Sequence, residues 1–160
     1  MIEIVDFDKK FSQDIYEMET SQWGIWENEA VIEKVGENEI VLVALCNGKF
    51  AGLISGKLKD DEFYILIACV KPKFQKMGIG TSLLNEIMKR ANQKFSFSKF
   101  TANAISVYGK CNAKKLLENA NFVCTKIEEK YWGKLYPNVM CTECFKKPCE
   151  CDSLFYELKK

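Results

Sequence analysis

The chain has 160 residues, enough for one domain with a proper core, and its 48% apolar residues, 28% charged residues and net charge of +1 are an ordinary globular balance. Lysines are mixed with acids along the chain, so no basic field points to nucleic acid or an anionic membrane. There is no histidine, which excludes Ser-His and Cys-His catalysis and any His-ligated metal.

The N-terminus, MIEIVDFDKKFSQD, carries charges where a signal peptide needs an apolar core. No apolar run approaches membrane-spanning length, the longest being Phe63–Val70, so the chain reads as cytosolic. Residues 2–7 read as a short strand. Phe11, Ile15 and Met18 then mark one face of a helix that frays around Trp23-Gly24. A second helix is expected over Glu27–Lys34, stopping before Gly36. Two apolar strands follow around Asn47-Gly48, a strong hairpin signal because both residues tolerate positive φ. After the acidic turn Asp60-Asp61-Glu62, the uninterrupted run FYILIACV predicts a strand buried on both faces, mid-sheet, with helices on each side.

The stretch VKPKFQKMGIGTSLLNEIMKRA comes next. Ile79, Leu83, Leu84, Ile87, Met88 and Ala91 form a helical stripe, with Lys89 and Arg90 near its C-terminal end. Residues 98–105 predict a strand. Ala113, Leu116, Leu117 and Ala120 mark a further helix face. Phe122–Trp132 and Ser153–Leu158 predict two more strands. The element order is that of an α/β fold: a mixed, mostly antiparallel central sheet with helices on both faces.

Between the FYILIACV strand and the next helix sit Gly78 and Gly80. A helix start leaves its first N–H groups unpaired at the positive end of the dipole, and glycines let a ligand approach them. That is an anion site, most naturally for a phosphate or pyrophosphate, with Lys73 and Lys76 beside it and Thr81 in the first turn. A Walker loop needs Gly-Lys-Ser/Thr, but Gly80 is followed directly by Thr81. A Rossmann fingerprint needs a third glycine where Leu83 stands.

The wider pattern, Val70, Pro72, then Gln75-x-x-Gly78-Ile79-Gly80-Thr81-x-Leu83-Leu84, resembles the acetyl-CoA signature of the GNAT superfamily of N-acetyltransferases. The resemblance spans about the whole chain in element order and is sharpest over residues 62–91. It implies a single N-acetyltransferase domain over 1–160, using acetyl-CoA as co-substrate. It implies that Gln75, Lys76, Met77, Gly78, Ile79, Gly80 and Thr81 cradle the pyrophosphate of coenzyme A. It also implies that the central strand splays from its neighbour, so that Ala68, Cys69 and Val70 pair with the pantetheine arm like an added strand.

Acetyl transfer needs a neutral amine, an oxyanion stabiliser and an acid for the leaving thiolate. The family often supplies the acid as a tyrosine in Leu-Tyr-Glu-Lys-x-Gly-Phe. Here that phrase reads Leu116-Leu117-Glu118-Asn119-Ala120-Asn121-Phe122, and Leu117 gives no proton. Tyr108 is the nearest phenol, and an aromatic that packs a loop is its other reading. Glu62, or Asp61 beside it, is the candidate base, or else a solvated turn carboxylate. At pH ~7.4 an α-amine is neutral roughly three times in ten and a lysine amine about once in a thousand, so a base-poor site suits an α-amine or a small amine of low pKa. Glu129-Lys130-Tyr131-Trp132 and Asp152-Ser153-Leu154 resemble the paired-aromatic and Asp-Ala-Leu positions of acetyltransferases acting on ribosomal-protein N-termini. Tyr131 and Trp132 are therefore candidates for the acceptor groove, or for core packing.

The eight cysteines divide in two. Cys46, Cys69, Cys111 and Cys124 read as reduced core thiols. Cys141, Cys144, Cys149 and Cys151, in an insertion over 133–152, suit an all-cysteine structural zinc site. An iron–sulfur cluster, free thiols or a redox disulfide pair are the alternatives. Acetyl-CoA and an amine acceptor, a protein N-terminus or a small molecule, are the expected partners. No nucleic acid or membrane partner is expected, and the chain is expected to be a monomer or homodimer. A non-catalytic acyl-CoA-binding module, its insertion contacting a protein, is the other functional reading.

Overall fold

Turn chemistry sets the first half of the sheet. The structure is a computed structural model that describes residues 1–23 and 34–160. Asn47 and Gly48 adopt φ of 51° and 75°, the mirror-type turn whose twist matches paired strands. They join β2 (Glu39–Cys46) to β3 (Lys49–Lys59), with Cys46 opposite Lys49. Asp60, at φ 53°, and Asp61 then turn β3 into β4 (Glu62–Val70), with Lys59 opposite Glu62. At the other edge, β1 (Ile2–Asp6) runs antiparallel to β2. With β5 (Lys99–Ser106), β6 (Val123–Glu128) and β7 (Asp152–Lys159) the sheet has seven strands in the order β1-β2-β3-β4-β5-β7-β6. It is mixed and mostly antiparallel and carries helices, as the element order predicts. Among the described residues no helix is long and apolar enough to cross a membrane.

The chain forms two compact units, one of Met1–Tyr16, Val31–Phe100 and Lys159–Lys160, the other of Glu17–Ala30 and Thr101–Leu158. In the first, α2 (Ile79–Lys94) lays Ile79, Leu83, Leu84, Ile87 and Ala91 against β2 and β3, where Leu42, Val43, Leu53 and Ile54 are wholly buried. Met88, the sixth residue of the predicted stripe, is only half-buried. Each buried aliphatic contributes about 1.5–3 kcal/mol. The Arg90–Glu86 pair on the same helix, at 2.8 Å, is an i,i+4 contact worth about 0.3–0.5 kcal/mol, so packing and not charge holds α2 down. Phe63 anchors the start of β4 among Phe95, Phe97 and Phe100, with ring centroids 5.8 Å (Phe97) and 6.0 Å (Phe100) away.

The expectation that β4 is buried on both faces is corrected. Phe63, Ile65 and Cys69 are buried, but Leu66 is 40% exposed and Ala68 is exposed. The pairing explains part of this. Ser55 faces Ile67 and Gly56 faces Ile65, so Leu66 is an extra, bulged residue. An apolar run thus marks one covered face and one open apolar face.

Helix α1 (Ser12–Trp23) buries Ile15 and Met18 as predicted, while Phe11, expected on the same face, is buried at the end of the short 3-10 turn Lys9–Phe11 that precedes it. The helix expected over Glu27–Lys34 lies outside the described residues, Lys34 apart, which is not helical. In the second unit α3 (Lys114–Asn119) buries Leu117 alone among its predicted face. Asn121, at φ 66°, closes it: Asn121 N–H donates to Glu118 C=O and Phe122 N–H to Leu117 C=O, both at 3.0 Å. The strand predicted over Phe122–Trp132 stops at Glu128. Lys130 turns left-handed at φ 51°, its N–H held by the Asp152 carboxylate at 3.0 Å, and Tyr131–Leu135 forms a short helix, α4. Tyr131 and Trp132 therefore stand on a helix and not on a strand end. Of the scattered thiols, Cys46 and Cys69 are buried, while Cys111 and Cys124 are only partly so.

Gly52 is required by the approach of β4: an added Cβ would lie 2.4 Å from the Cys69 carbonyl oxygen. Gly52→Ala is expected to cost about 1–3 kcal/mol, read as a lowered midpoint in denaturant unfolding with unchanged m-value.

Candidate functional site

After Val70 the chain makes a 3-10 turn over Pro72–Phe74, then reverses twice through left-handed residues, Lys76 at φ 63° and Gly78 at φ 80°. Gln75 ties the turn to the strand end, its Nε2 donating to Val70 C=O at 3.1 Å. Gly78 is the N-cap of α2 and offers no side-chain acceptor, so the helix start is capped by nothing of its own. The first helical bond is Ser82 N–H to Gly78 C=O at 3.0 Å. None of the six N–H groups from Lys76 to Thr81 donates to a protein acceptor among the described residues. Lys73 and Lys76 are exposed beside them, and Lys71 is engaged by Asp14 at 3.1 Å. A run of donors without a protein acceptor among the described residues, the positive helix end and two exposed ammonium groups are suited to an anion. The structure thus brings Gln75, Lys76, Met77, Gly78, Ile79, Gly80 and Thr81 together on one turn and the helix start it leads into, with the Ile79 side chain buried in the core.

Ala68, Cys69 and Val70 lead directly into that turn and pair across β3 with Ile54, Leu53 and Gly52. The Cys69 side chain points into the core, which leaves its backbone and not its thiol for a ligand. The bulged Leu66 and the exposed Ala68 put an open apolar strip on the same strand. Glu62 is not brought to the turn. It opens β4 at the opposite end, roughly 25 Å away at about 3.3 Å per residue, with Lys99 Nζ 3.8 Å from its carboxylate. Tyr108 occupies the tip of a two-residue turn with Gly109, at φ 48° and 83°, closed by reciprocal 2.9 Å bonds between Val107 and Lys110. Its ring is 75% exposed, six residues before α3 rather than on it.

The second unit holds the cysteine cluster. The sulfurs of Cys141, Cys144, Cys149 and Cys151 all lie within 4.8 Å of one another, all four residues buried and unbridged. Cys141 to Cys151 is 3.8 Å and Cys144 to Cys149 is 3.9 Å. Four sulfurs about 2.3 Å from one zinc ion would stand about 3.8 Å apart at the corners of a tetrahedron, so the residues fit the ion. Backbone N–H groups of Glu143 and Cys144 point at Cys141 sulfur, that of Glu150 at Cys144 and that of Cys151 at Cys149, at 3.3–3.5 Å. Such donors stabilise thiolates. At Cys144 burial acts upward, but the N–H groups of Glu150 and Lys146, with neighbouring thiols, bring the group down to about 7. Burial pushes Cys149 up to about 11 and Cys151 higher still. Four thiols this close cannot all ionise alone; a divalent cation reverses that.

Ile105, Val107 and Trp132 pack against the cluster. Trp132 Nε1 donates to Asp152 C=O at 3.2 Å, and Tyr131 stacks edge-on between Trp132 (5.1 Å) and Phe155 (5.2 Å). Gly133 was not marked by the sequence reading. It lets α4 sit on the cluster backbone, and its signal is only a glycine directly after the paired aromatics.

Comparison with known proteins gives the following. The profile of the "Acetyltransferase (GNAT) family" matches residues 7–113. The curated proteins show no significant match. Among solved structures, the chain resembles the ribosomal-protein-S18-alanine N-acetyltransferase of Escherichia coli, with TM-score 0.74 and 19% identity over 99% of this chain and 94% of that one. It also resembles a GNAT acetyltransferase from Elizabethkingia anophelis with acetyl-CoA bound, with TM-score 0.74 and 19% identity over 99% and 98%. A third is NAA60 of Arabidopsis thaliana in complex with a bisubstrate analogue, with TM-score 0.77 and 13% identity over 99% and 98%. At these identities the structural likeness speaks for the fold.

A Cβ at Gly133 would meet the Cys149 carbonyl oxygen at 2.1 Å. Gly133→Ala is expected to lower stability by about 1–3 kcal/mol and to speed reaction of the four cluster thiols with a thiol reagent under native conditions.

Proposed function

Because this chain belongs to the acetyltransferase (GNAT) family, as its match over residues 7–113 shows, we propose that it transfers acetyl from acetyl-CoA to a primary amine by direct attack in a ternary complex. The observation that carries the reading is the run of six N–H groups from Lys76 to Thr81 that have no protein acceptor among the described residues, a cradle suited to the coenzyme A pyrophosphate. The backbone at Ala68–Val70 takes the pantetheine arm, and the open apolar strip of Leu66 and Ala68 excludes water from it. The amine nitrogen attacks the thioester carbonyl carbon, the tetrahedral oxyanion collapses, and the coenzyme A thiolate leaves and takes a proton. Residues 1–160 are read as one acetyltransferase domain and 133–152 as an insertion in it.

The acceptor is read as an α-amine of a peptide or a small amine. The Escherichia coli protein, by its name, acts on an alanine of ribosomal protein S18, which supports an α-amine. Leu117, in the tyrosine position, is 5% exposed and serves the core. Glu62 and Tyr108 remain the candidate base and acid. An α-amine, neutral roughly three times in ten near neutral pH, asks little of a base, so positioning carries most of the rate. Tyr131 and Trp132 are proposed to line the acceptor groove. The four cysteines are proposed to hold one structural zinc ion, a closed ligand set with no position for water. The buried Leu117 also favours a second reading, a non-catalytic acetyl-CoA-binding module, and turnover of a panel of peptides and small amines separates the two.

Acetyl-CoA is expected to raise the melting temperature of the parent. No atom lies within 4 Å of a Cβ built at Gly78, so Gly78→Asn tests conformation and Gly78→Asp adds charge. Gly78→Asn is expected to keep much of the stabilisation and Gly78→Asp to weaken acetyl-CoA binding by about tenfold or more. Equal stabilisation of the Asp variant and the parent would remove the turn from the site. Metal analysis is expected to find one zinc ion per chain, lost in Cys144→Ser/Cys149→Ser. Iron with visible absorbance would point instead to an iron centre.

A further inference from the structure

We infer that the cysteine module is a positioning device for the acceptor side, and that Thr142 is the residue through which it holds α1. The inference rests on the reading above that Tyr131 and Trp132 line the acceptor groove. Residues 136–151 form no helix or strand, and few backbone bonds order them: Val139 to Tyr136, Cys141 to Lys146 and Phe145 to Cys141, at 3.0–3.3 Å. Their shape therefore depends on the four sulfurs converging.

The module makes three attachments. Thr142, beside the ligand Cys141, donates its hydroxyl to the carbonyl of Gln22, in the last turn of α1. This contact joins the described end of α1 to a residue 120 positions further along the chain. Cys149 offers the backbone surface onto which Gly133 of α4 closes. Cys151 precedes Asp152, whose carboxylate accepts Lys130 N–H at 3.0 Å and whose carbonyl accepts Trp132 Nε1 at 3.2 Å. The start of α4, its middle and the end of α1 are thus all referred to residues at or next to the sulfurs. The acetyl-CoA turn Gln75–Thr81 draws on no residue of the module. Metal loading therefore controls acceptor recognition and leaves acetyl-CoA binding alone.

The test is amide hydrogen exchange on the zinc-loaded full chain, on the chain stripped by chelator under reducing conditions, and on zinc-loaded Thr142→Val. Stripping is expected to speed exchange in 17–23 and 131–135 while 79–94 stays protected. Thr142→Val is expected to keep its zinc and lose protection in 17–23. With an alanine-initiated pentapeptide as probe, Asp152→Ala, which removes the carboxylate that accepts Lys130 N–H at the start of α4, is expected to raise the peptide KM by about 2–10-fold, the worth of one hydrogen bond, with kcat and the acetyl-CoA KM within about twofold. Unchanged exchange in both segments would overturn the inference, as would uniform loss that includes 79–94. A peptide KM unmoved in Asp152→Ala, or a peptide that the zinc-loaded parent does not acetylate, would overturn its acceptor half. Failure of the proposed function shows separately, as absence of acetyl-CoA stabilisation in the zinc-loaded parent.

Discussion

A helix cannot satisfy its own first N–H groups, and this chain places that deficit at the end of the central strand. Lys76 and Gly78 turn left-handed, the cap residue has no side chain, and no acceptor among the described residues meets the leading donors of α2. The rest of the first unit keeps this end fixed. α2 is held by its aliphatic stripe, β4 is drawn close to β3 at Gly52, and Gln75 bonds back to Val70. An anion-binding turn needs a rigid frame because its donors must converge before the ligand arrives.

Much of the frame was legible because it is local. Asn47-Gly48 codes a turn by the φ its residues accept, and the α2 stripe codes a face by its spacing. Asn121 filled a glycine's place at the end of α3 for the same reason. The misses are tertiary. The extra residue at Leu66 depends on how β3 and β4 align, and composition does not record register. Strand β6 ends where Asp152, distant in sequence, caps Lys130, so α4 was hidden. The open face of β4 reads like core because an exposed apolar residue and a buried one look the same in sequence.

The candidate site divides along the same line. The glycine turn is contiguous, and the cluster cysteines lie within eleven residues, so both stand out as short motifs in the sequence, the turn through its resemblance to a family signature and the cluster through its spacing. The acid and base are not contiguous with anything, and the family's tyrosine position holds a leucine buried in the core. Chemistry that relies on an acceptor already partly neutral at working pH leaves a fainter trace in sequence than chemistry that relies on a shifted carboxylate.

Gly78 has one more consequence. A Cβ there would touch nothing within 4 Å, yet φ is +80°. The residue is therefore selected by handedness and not by bulk: in its backbone conformation it behaves as a D-amino acid would. Among the described residues no wall stands within 4 Å of that position, so shape at this point of the turn is set by the backbone N–H groups rather than by neighbouring side chains. Coenzyme derivatives that differ in their acyl groups share the same diphosphate, so a turn of this kind offers no means of telling them apart. Any discrimination between acyl groups would fall to surface other than this turn.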